Sequence, residues 1–267
     1  MTPTLQIKPK ALMKEFVEEY SEMFDIDKDL AYHYIKTNER FDYLTEKWYE
    51  YLEQDDIQKA YSVYDDEYYF TDMWNCFKIY SRQYLRDMYR KSKTTDKAIN
   101  DYIQNVNTVV DTGCGVGFTT SILKEMFPNA SVYGTNLKNT KQWMFCERKA
   151  LKHNFNLIED ISQVPEKEVD LFFSSEYFEH IHNPIEHVKH LVEVKNPKYF
   201  IIANAFNTNS IGHFVTYKHG NEFIDQSVIN RMFNKQLRHM GYVKIKTGLF
   251  NDRPNFWVRN DMLENKE

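Results

Sequence analysis

The chain is poor in the residues that punctuate or staple a fold. Its 267 residues hold three cysteines, seven prolines and eight glycines, and no glycine precedes Gly113. Cys76, Cys114 and Cys146 are far apart, odd in number and form no CxxC pair, which excludes a disulfide framework or a zinc cluster and suits a reducing cytosol. No apolar run approaches the ~20 residues that span a bilayer, and residues 1–16 mix Lys, Pro and Glu without a continuous hydrophobic stretch. A cytoplasmic protein with neither leader nor membrane anchor is expected. Internal repeats and low-complexity linkers are absent as well.

What is present is aromatic. Phe, Trp and Tyr make up 16% of the chain, within an apolar share of 42% and a charged share of 27%, so rings supply much of the core. From Pro9 to Lys93 apolar residues recur at helical spacing: Leu12, Phe16, Tyr20 and Phe24, then Phe41, Leu44, Trp48 and Leu52. Asp25, Asp27 and Asp29 punctuate the first break, and Gln54-Asp55-Asp56 marks another. A glycine-free, Tyr-rich stretch of this kind predicts a helical extension over residues 1–100, serving as a lid or substrate-binding cover.

Beyond it the rhythm changes to short apolar runs alternating with helical stretches. Strands are predicted over 108–111, 131–136, 156–159, 170–174, 199–204, 242–249 and 255–259, with helices over 119–127, 140–154, 184–194 and 226–240. Alternation predicts a largely parallel sheet covered on both faces over residues 101–267. The last two strands lack an intervening helix, and Asn251-Asp252-Arg253-Pro254 supplies turn residues, so an antiparallel C-terminal hairpin is expected at the sheet edge.

The first strand and its loop read Val109-Val110-Asp111-Thr112-Gly113-Cys114-Gly115-Val116-Gly117. Alternate glycines let the backbone turn out of the strand and approach a ligand at the next helix N-terminus. A dinucleotide fingerprint counted from Gly113 needs glycine at 118, where Phe118 stands, and no Gly-Lys-Ser/Thr phosphate loop follows. This D-x-G-x-G-x-G run resembles the first motif of class I S-adenosylmethionine (SAM) dependent methyltransferases, and further matches follow in order. Val132-Tyr133-Gly134-Thr135-Asn136-Leu137 resembles the second strand, with Asn136 where the family normally has a ribose-binding acid. Glu159-Asp160-Ile161 resembles the third motif. Asp170-Leu171-Phe172-Phe173-Ser174-Ser175-Glu176-Tyr177-Phe178-Glu179-His180-Ile181 resembles the fourth strand and its loop. The resemblance covers about 155 residues. It implies a Rossmann-like α/β sheet and a SAM site built from Asp111, Gly113, Gly115, Gly117, Asn136, Leu137, Asp160 and Ser175. Asp111 would meet the methionyl ammonium, Asp160 the adenine amino group, and Leu137 the adenine face.

Nothing like Asp/Asn-Pro-Pro-Tyr follows the fourth strand, and no Pro-Cys nucleophile appears, which removes the DNA amino- and cytosine C5-methyltransferase chemistries. Two carboxylates and an imidazole stand within five residues at Glu176, Glu179 and His180. The ExxEH string resembles the metal-binding segment of O-methyltransferases acting on ubiquinone-pathway catechols and on small-RNA 2′-hydroxyls. That resemblance implies a site for Mg²⁺, Mn²⁺ or Fe²⁺ from Glu176, Glu179, His180 and a distal histidine, His219 by spacing or else His213. The catalytic candidates are Glu179, His180 and His213.

The expected activity is methyl transfer to a hydroxyl of a small molecule or nucleotide-like diol. N- or C-methylation without metal and a non-catalytic SAM-fold subunit are the alternatives. The net charge of −5 argues against bulk duplex binding. Residues 205–259, however, carry eight Lys/Arg against three Asp/Glu, a basic face on which a single-strand end remains open.

Overall fold

The computed structural model describes residues 9–92, 94–248 and 253–264. The N-terminal region is helical, as its spacing predicts: α1 (Pro9–Phe24), α2 (Lys28–Thr37), α3 (Phe41–Glu53), α4 (Ile57–Tyr61), a 3-10 turn at Ser62–Asp65, α5 (Glu67–Cys76), a π-turn at Phe77–Ser81 and α6 (Arg82–Asp87). Two of the aspartate breaks are helix caps. Asp27 accepts from the amides of Asp29 and Leu30 to start α2, and Asp56 accepts from that of Lys59 to start α4, satisfying donors that a helix N-terminus leaves open.

The alternating part folds as β1 (Thr108–Asp111), α7 (Phe118–Met126), β2 (Ser131–Thr135), α8 (Lys141–His153), β3 (Asn156–Ile158), β4 (Leu171–Ser175), α9 (Pro184–Lys195) and β5 (Tyr199–Ala203). It continues with β6 (Thr216–His219), β7 (Glu222–Asp225), α10 (Gln226–His239), β8 (Tyr242–Ile245), β9 (Asn255–Arg259) and α11 (Asp261–Glu264). The main sheet runs β3-β2-β1-β4-β5-β9-β8. β1 to β5 are parallel, and β9 lies antiparallel to both β5 and β8. This is a Rossmann-like methyltransferase sheet with the expected C-terminal hairpin. Leu249, from the predicted strand 242–249, and Asn251 and Asp252, from the turn after it, lie outside the described residues.

Besides the short α11, a hairpin was not anticipated: β6 and β7 form a separate two-stranded sheet around Gly220-Asn221. The signal is present, since a Gly-Asn pair between alternating residues marks a tight hairpin.

Strand order reverses at β1, with β2 on one side and β4 on the other, so a crevice opens at the carboxyl ends of these two strands. Both faces of the sheet are covered. Val109, Phe173 and Ile201 point into one apolar core, and Val110, Phe172 and Ile202 into the other. The helical extension feeds both. Phe16, Phe70 and Trp74 join the first core, while Leu44, Trp48 and Val63 join the second. Phe16 packs against Trp74, Phe118 and Phe145. Fully buried Lys149 on α8 pairs with Glu19 and with Glu15, 3.6 Å away, on α1. No helix among the described residues is long and apolar enough to cross a membrane.

Candidate active site

The crevice has two ends. At the first, the chain leaves β1 through Gly113, Gly115 and Gly117, all at positive φ. Position 113 needs glycine twice over: φ is +66°, and a β-carbon there would lie 2.1 Å from Cδ2 of Tyr177. Thr135 at the tip of β2 holds the loop, its hydroxyl accepting from the Gly113 amide at 3.0 Å and its carbonyl from the Cys114 amide at 3.0 Å.

Asp111 lies beneath this loop, only 2% exposed, and accepts from the Thr120 hydroxyl at 2.6 Å. Burial pushes its carboxyl up to about 7, against the lowering effect of that hydrogen bond. As it stands, the side chain braces β1 against α7.

Asn136 explains its own departure from an acid. Its Nδ2 donates to the Gly115 carbonyl at 2.7 Å, while Oδ1 accepts from the Leu137 amide at 2.8 Å. A carboxylate could make the second bond but not the first. Leu137 is 68% exposed beside it. Asp160 is exposed and accepts from the Ser162 amide at 2.8 Å, a bond that with the Ser162 hydroxyl holds its carboxyl below the usual range. Ser175 ends β4, and its hydroxyl meets that of Ser81 at 2.8 Å.

The second end begins one residue later. Glu176 adopts a left-handed φ of +53°, a strained conformation for a non-glycine residue and one that clusters at functional sites. Its Oε1 accepts from the Tyr84 hydroxyl at 3.3 Å. Burial raises its carboxyl pKa, opposed by the nearby Arg253 guanidinium. Glu179 is fully buried and accepts from the Ala205 amide at 2.6 Å; burial, then the adjacent Glu176, push its carboxyl well above the ordinary range.

His180 and His213 meet edge to face with ring centroids 4.9 Å apart. Burial, with His213 next to it, holds His180 well below the usual histidine range, and burial holds His213 to about 4. Both imidazoles are therefore neutral at pH 7. The Nδ1 of His213 donates to the Thr208 carbonyl at 2.7 Å, and that of His180 stands 2.9 Å from the Tyr64 hydroxyl.

His219, the distal histidine favoured by spacing, is elsewhere. It sits on β6 with Nδ1 2.6 Å from the Glu186 carboxylate on α9. From the same strand it is Tyr217 that turns inward, its hydroxyl donating to the Glu179 carbonyl at 3.0 Å. His213, on the loop before β6, joins the cluster instead.

Glu176, Glu179, His180 and His213 are donors of the kind a divalent cation takes, but they do not stand as an assembled ion site. Among the described residues no group of three or more His, Cys, Asp or Glu side chains could hold a metal ion. The Glu179 carboxylate is turned to the Ala205 amide and the His180 Nδ1 to Tyr64.

Sequence reasoning missed the residues that hold this end together. Trp48 Nε1 donates to the His213 carbonyl at 2.8 Å, the Tyr61 hydroxyl to the His180 carbonyl at 3.3 Å, and the Tyr49 hydroxyl to the Ser210 carbonyl at 3.5 Å. Arg253, read from the sequence as a turn residue and part of a basic face, is the cation acting on both carboxyls. Among the aromatics of the extension, Tyr64 packs against both Tyr69 and His180, whereas Trp74 is core against Phe118 and Tyr80 is exposed. An open cleft of about 480 Å³ lies elsewhere, on the extension, among Arg40, Tyr43, Asp66, Tyr68 and Lys141. None of its lining comes from a strand tip.

The sheet order, the glycine loop and the acid-bearing tip of β4 together define a Rossmann-like methyltransferase architecture. Residues 110–202 match the family model described as a methyltransferase domain. No curated protein matches the chain. Solved structures are similar at low identity. The methyltransferase domain of bacterial CtHen1-C is 16% identical, covering 60% of this chain and 94% of that one with a TM-score of 0.42. A SAM-dependent methyltransferase from Aquifex aeolicus is 15% identical over 60% and 84%, with a TM-score of 0.38. The N-terminal domain of EvdMO1, solved with S-adenosylhomocysteine (SAH) bound, is 14% identical over 39% of this chain and 45% of that one, with a TM-score of 0.33. This chain thus spans less than half the length of the last.

Proposed function

We propose that the protein transfers the methyl group of SAM to a hydroxyl oxygen of a small molecule or nucleotide-like diol. The observation that carries this reading is a pair of imidazoles that burial keeps neutral, His180 in the loop after β4 and His213 in the loop before β6, with ring centroids 4.9 Å apart. In the proposed site the loop at Gly113, Gly115 and Gly117, with Asn136, Leu137, Asp160 and Ser175, holds the cofactor, and Asp111 braces β1 against α7 beneath it. The acceptor oxygen attacks the methyl carbon in line with the departing sulfur. The C–O bond forms as the C–S bond breaks, its electron pair returns to sulfur to give SAH, and the hydroxyl proton passes to an imidazole nitrogen. Alignment and proton removal are the two things such a reaction asks of a protein. An imidazole that burial keeps neutral at pH 7 has a ring nitrogen free to take that proton.

Cation assistance is a second reading, favoured by the donor chemistry of Glu176, Glu179, His180 and His213. A bound Mg²⁺, Mn²⁺ or Fe²⁺ would supply charge to lower the pKa of a hydroxyl. The helical extension is proposed as the cover of the acceptor end.

The test is transfer of label from [methyl-³H]SAM to catechol and to adenosine, with and without excess EDTA. Label on either acceptor supports O-methylation, and loss of transfer in EDTA selects the cation reading. SAH binding without transfer to any hydroxyl acceptor would overturn the assignment to oxygen.

A further inference from the structure

The two histidines of the crevice are held in parallel ways. His213 presents Nδ1 to the Thr208 carbonyl at 2.7 Å. A carbonyl only accepts, so Nδ1 carries the proton and Nε2 is bare. His180 presents Nδ1 to a hydroxyl, that of Tyr64 at 2.9 Å, which can accept or donate. The packing at this contact leaves no slack. Gly212, at φ +82°, runs so close that a β-carbon there would lie 2.2 Å from Nδ1 of His180 and 2.3 Å from the Tyr64 hydroxyl oxygen. The glycine next to His213 is therefore what lets Tyr64 and His180 meet.

The backbones are fixed from the same side, His213 by Trp48 and His180 by Tyr61. All three aromatic anchors belong to residues 48–64, which contribute nothing to the sheet.

We propose that Tyr64 is a positioning residue: its hydroxyl oxygen accepts the Nδ1 proton of His180 and so leaves Nε2 bare, the same tautomer that Thr208 imposes on His213. The inference rests on the proposed transfer to oxygen, where the nitrogen that takes the acceptor's proton must start without one. A partner on one ring nitrogen commonly decides the state of the other. Tyr64 does this from the helical extension, 116 residues before His180 in sequence, so the extension both covers the acceptor end and sets its chemistry.

The experiment is a long-range ¹⁵N–¹H correlation spectrum of full-length protein labelled at histidine, at pH 7.5, with His180 and His213 assigned through His180→Gln and His213→Gln. The expected result is the Nδ1-protonated form for both. Tyr64→Phe should move His180 to the Nε2-protonated form or to a mixture and leave His213 unchanged. Tyr61→Phe, which removes a bond to the His180 carbonyl and none to its ring, should leave the His180 tautomer unchanged. SAH affinity by calorimetry should stay within twofold in both variants. An Nε2-protonated His180 in the wild-type protein would overturn the proposal, and that spectrum decides the matter even where Tyr64→Phe fails to fold. An unmoved tautomer in folded Tyr64→Phe would overturn it equally. Absence of SAH binding by wild-type protein would instead count against the proposed activity, and the tautomers would still be read independently.

Discussion

The two ends of the crevice are built by opposite means. The glycine-loop end is local: Asp111, Gly113, Gly115 and Gly117 lie on one turn, and Asn136 bonds that turn from the adjoining strand tip. The histidine end is assembled from segments far apart in sequence. Trp48 and His213 are 165 residues apart, Tyr64 and His180 116, and Arg253 comes from next to the final strand. In the proposed reading, what binds the cofactor is encoded in one contiguous motif, whereas what meets the acceptor is gathered from a helical extension and loops. The fold carries the first and the appendage the second.

The largest way to break this comparison is to remove the base candidate. His180→Ala should lower methyl transfer to the hydroxyl acceptor by roughly 10²–10⁴, while its SAH affinity stays within about threefold of wild type. Comparable losses of both would mean that the two ends are not separable.

Next in size is the joint between extension and sheet. Phe16 is fully buried among Tyr20, Trp74, Phe118 and Phe145, so Phe16→Ala should cost about 3–5 kcal/mol. Because the extension shares both cores, the loss should appear in denaturant as one earlier transition of the whole chain. Two transitions, with only the first displaced, would make the extension an independent module.

Acid separates the ends by sign. Asp111 is raised by burial to about 7, above its unfolded value, so its contribution to stability is present at low pH and is lost as pH rises from about 4 to 7. His213 is lowered by burial to about 4, below its unfolded value, so its contribution is present above about 6.5 and is lost as pH falls toward 4. Each is worth up to about 3–4 kcal/mol. In urea titrations from pH 4 to 7, Asp111→Asn should therefore tilt the stability profile toward higher pH, and His213→Gln toward lower pH. Parallel profiles for the two variants would contradict this account of their burial. The smallest expected effect is at Asn136. Asn136→Asp replaces a donor with an acceptor opposite the Gly115 carbonyl and should weaken SAH about tenfold, or 1.4 kcal/mol; unchanged or tighter binding would mean that the bond does not support the loop.

Much of the fold was legible because its signals are local. Glycine spacing, strand–helix alternation and the turn residues before Pro254 report on neighbours a few positions away, and a mostly parallel sheet with an antiparallel hairpin follows from them. The acceptor end was only half legible. The residue types at 176, 179 and 180 announce chemistry, but which distal histidine joins them depends on the β6–β7 hairpin. That hairpin points Tyr217 inward and leaves His219 to Glu186. The contact of Tyr64 with His180 carried no signal, since one tyrosine among nineteen becomes distinct only when its segment docks. At Asn136 the departure from an acid is visible in the sequence, but its reason, the bond from its amide to the Gly115 carbonyl, is not.

The central claim is that the glycine loop binds the cofactor independently of the histidine end. SAH titrated by calorimetry into wild type, Gly113→Ala and His180→Ala tests it most directly. The account predicts one site per chain in wild type, at least a hundredfold loss in Gly113→Ala, where the new methyl group meets Tyr177, and near-wild-type affinity in His180→Ala. Undiminished binding by Gly113→Ala, or no binding by the wild-type protein, would contradict it.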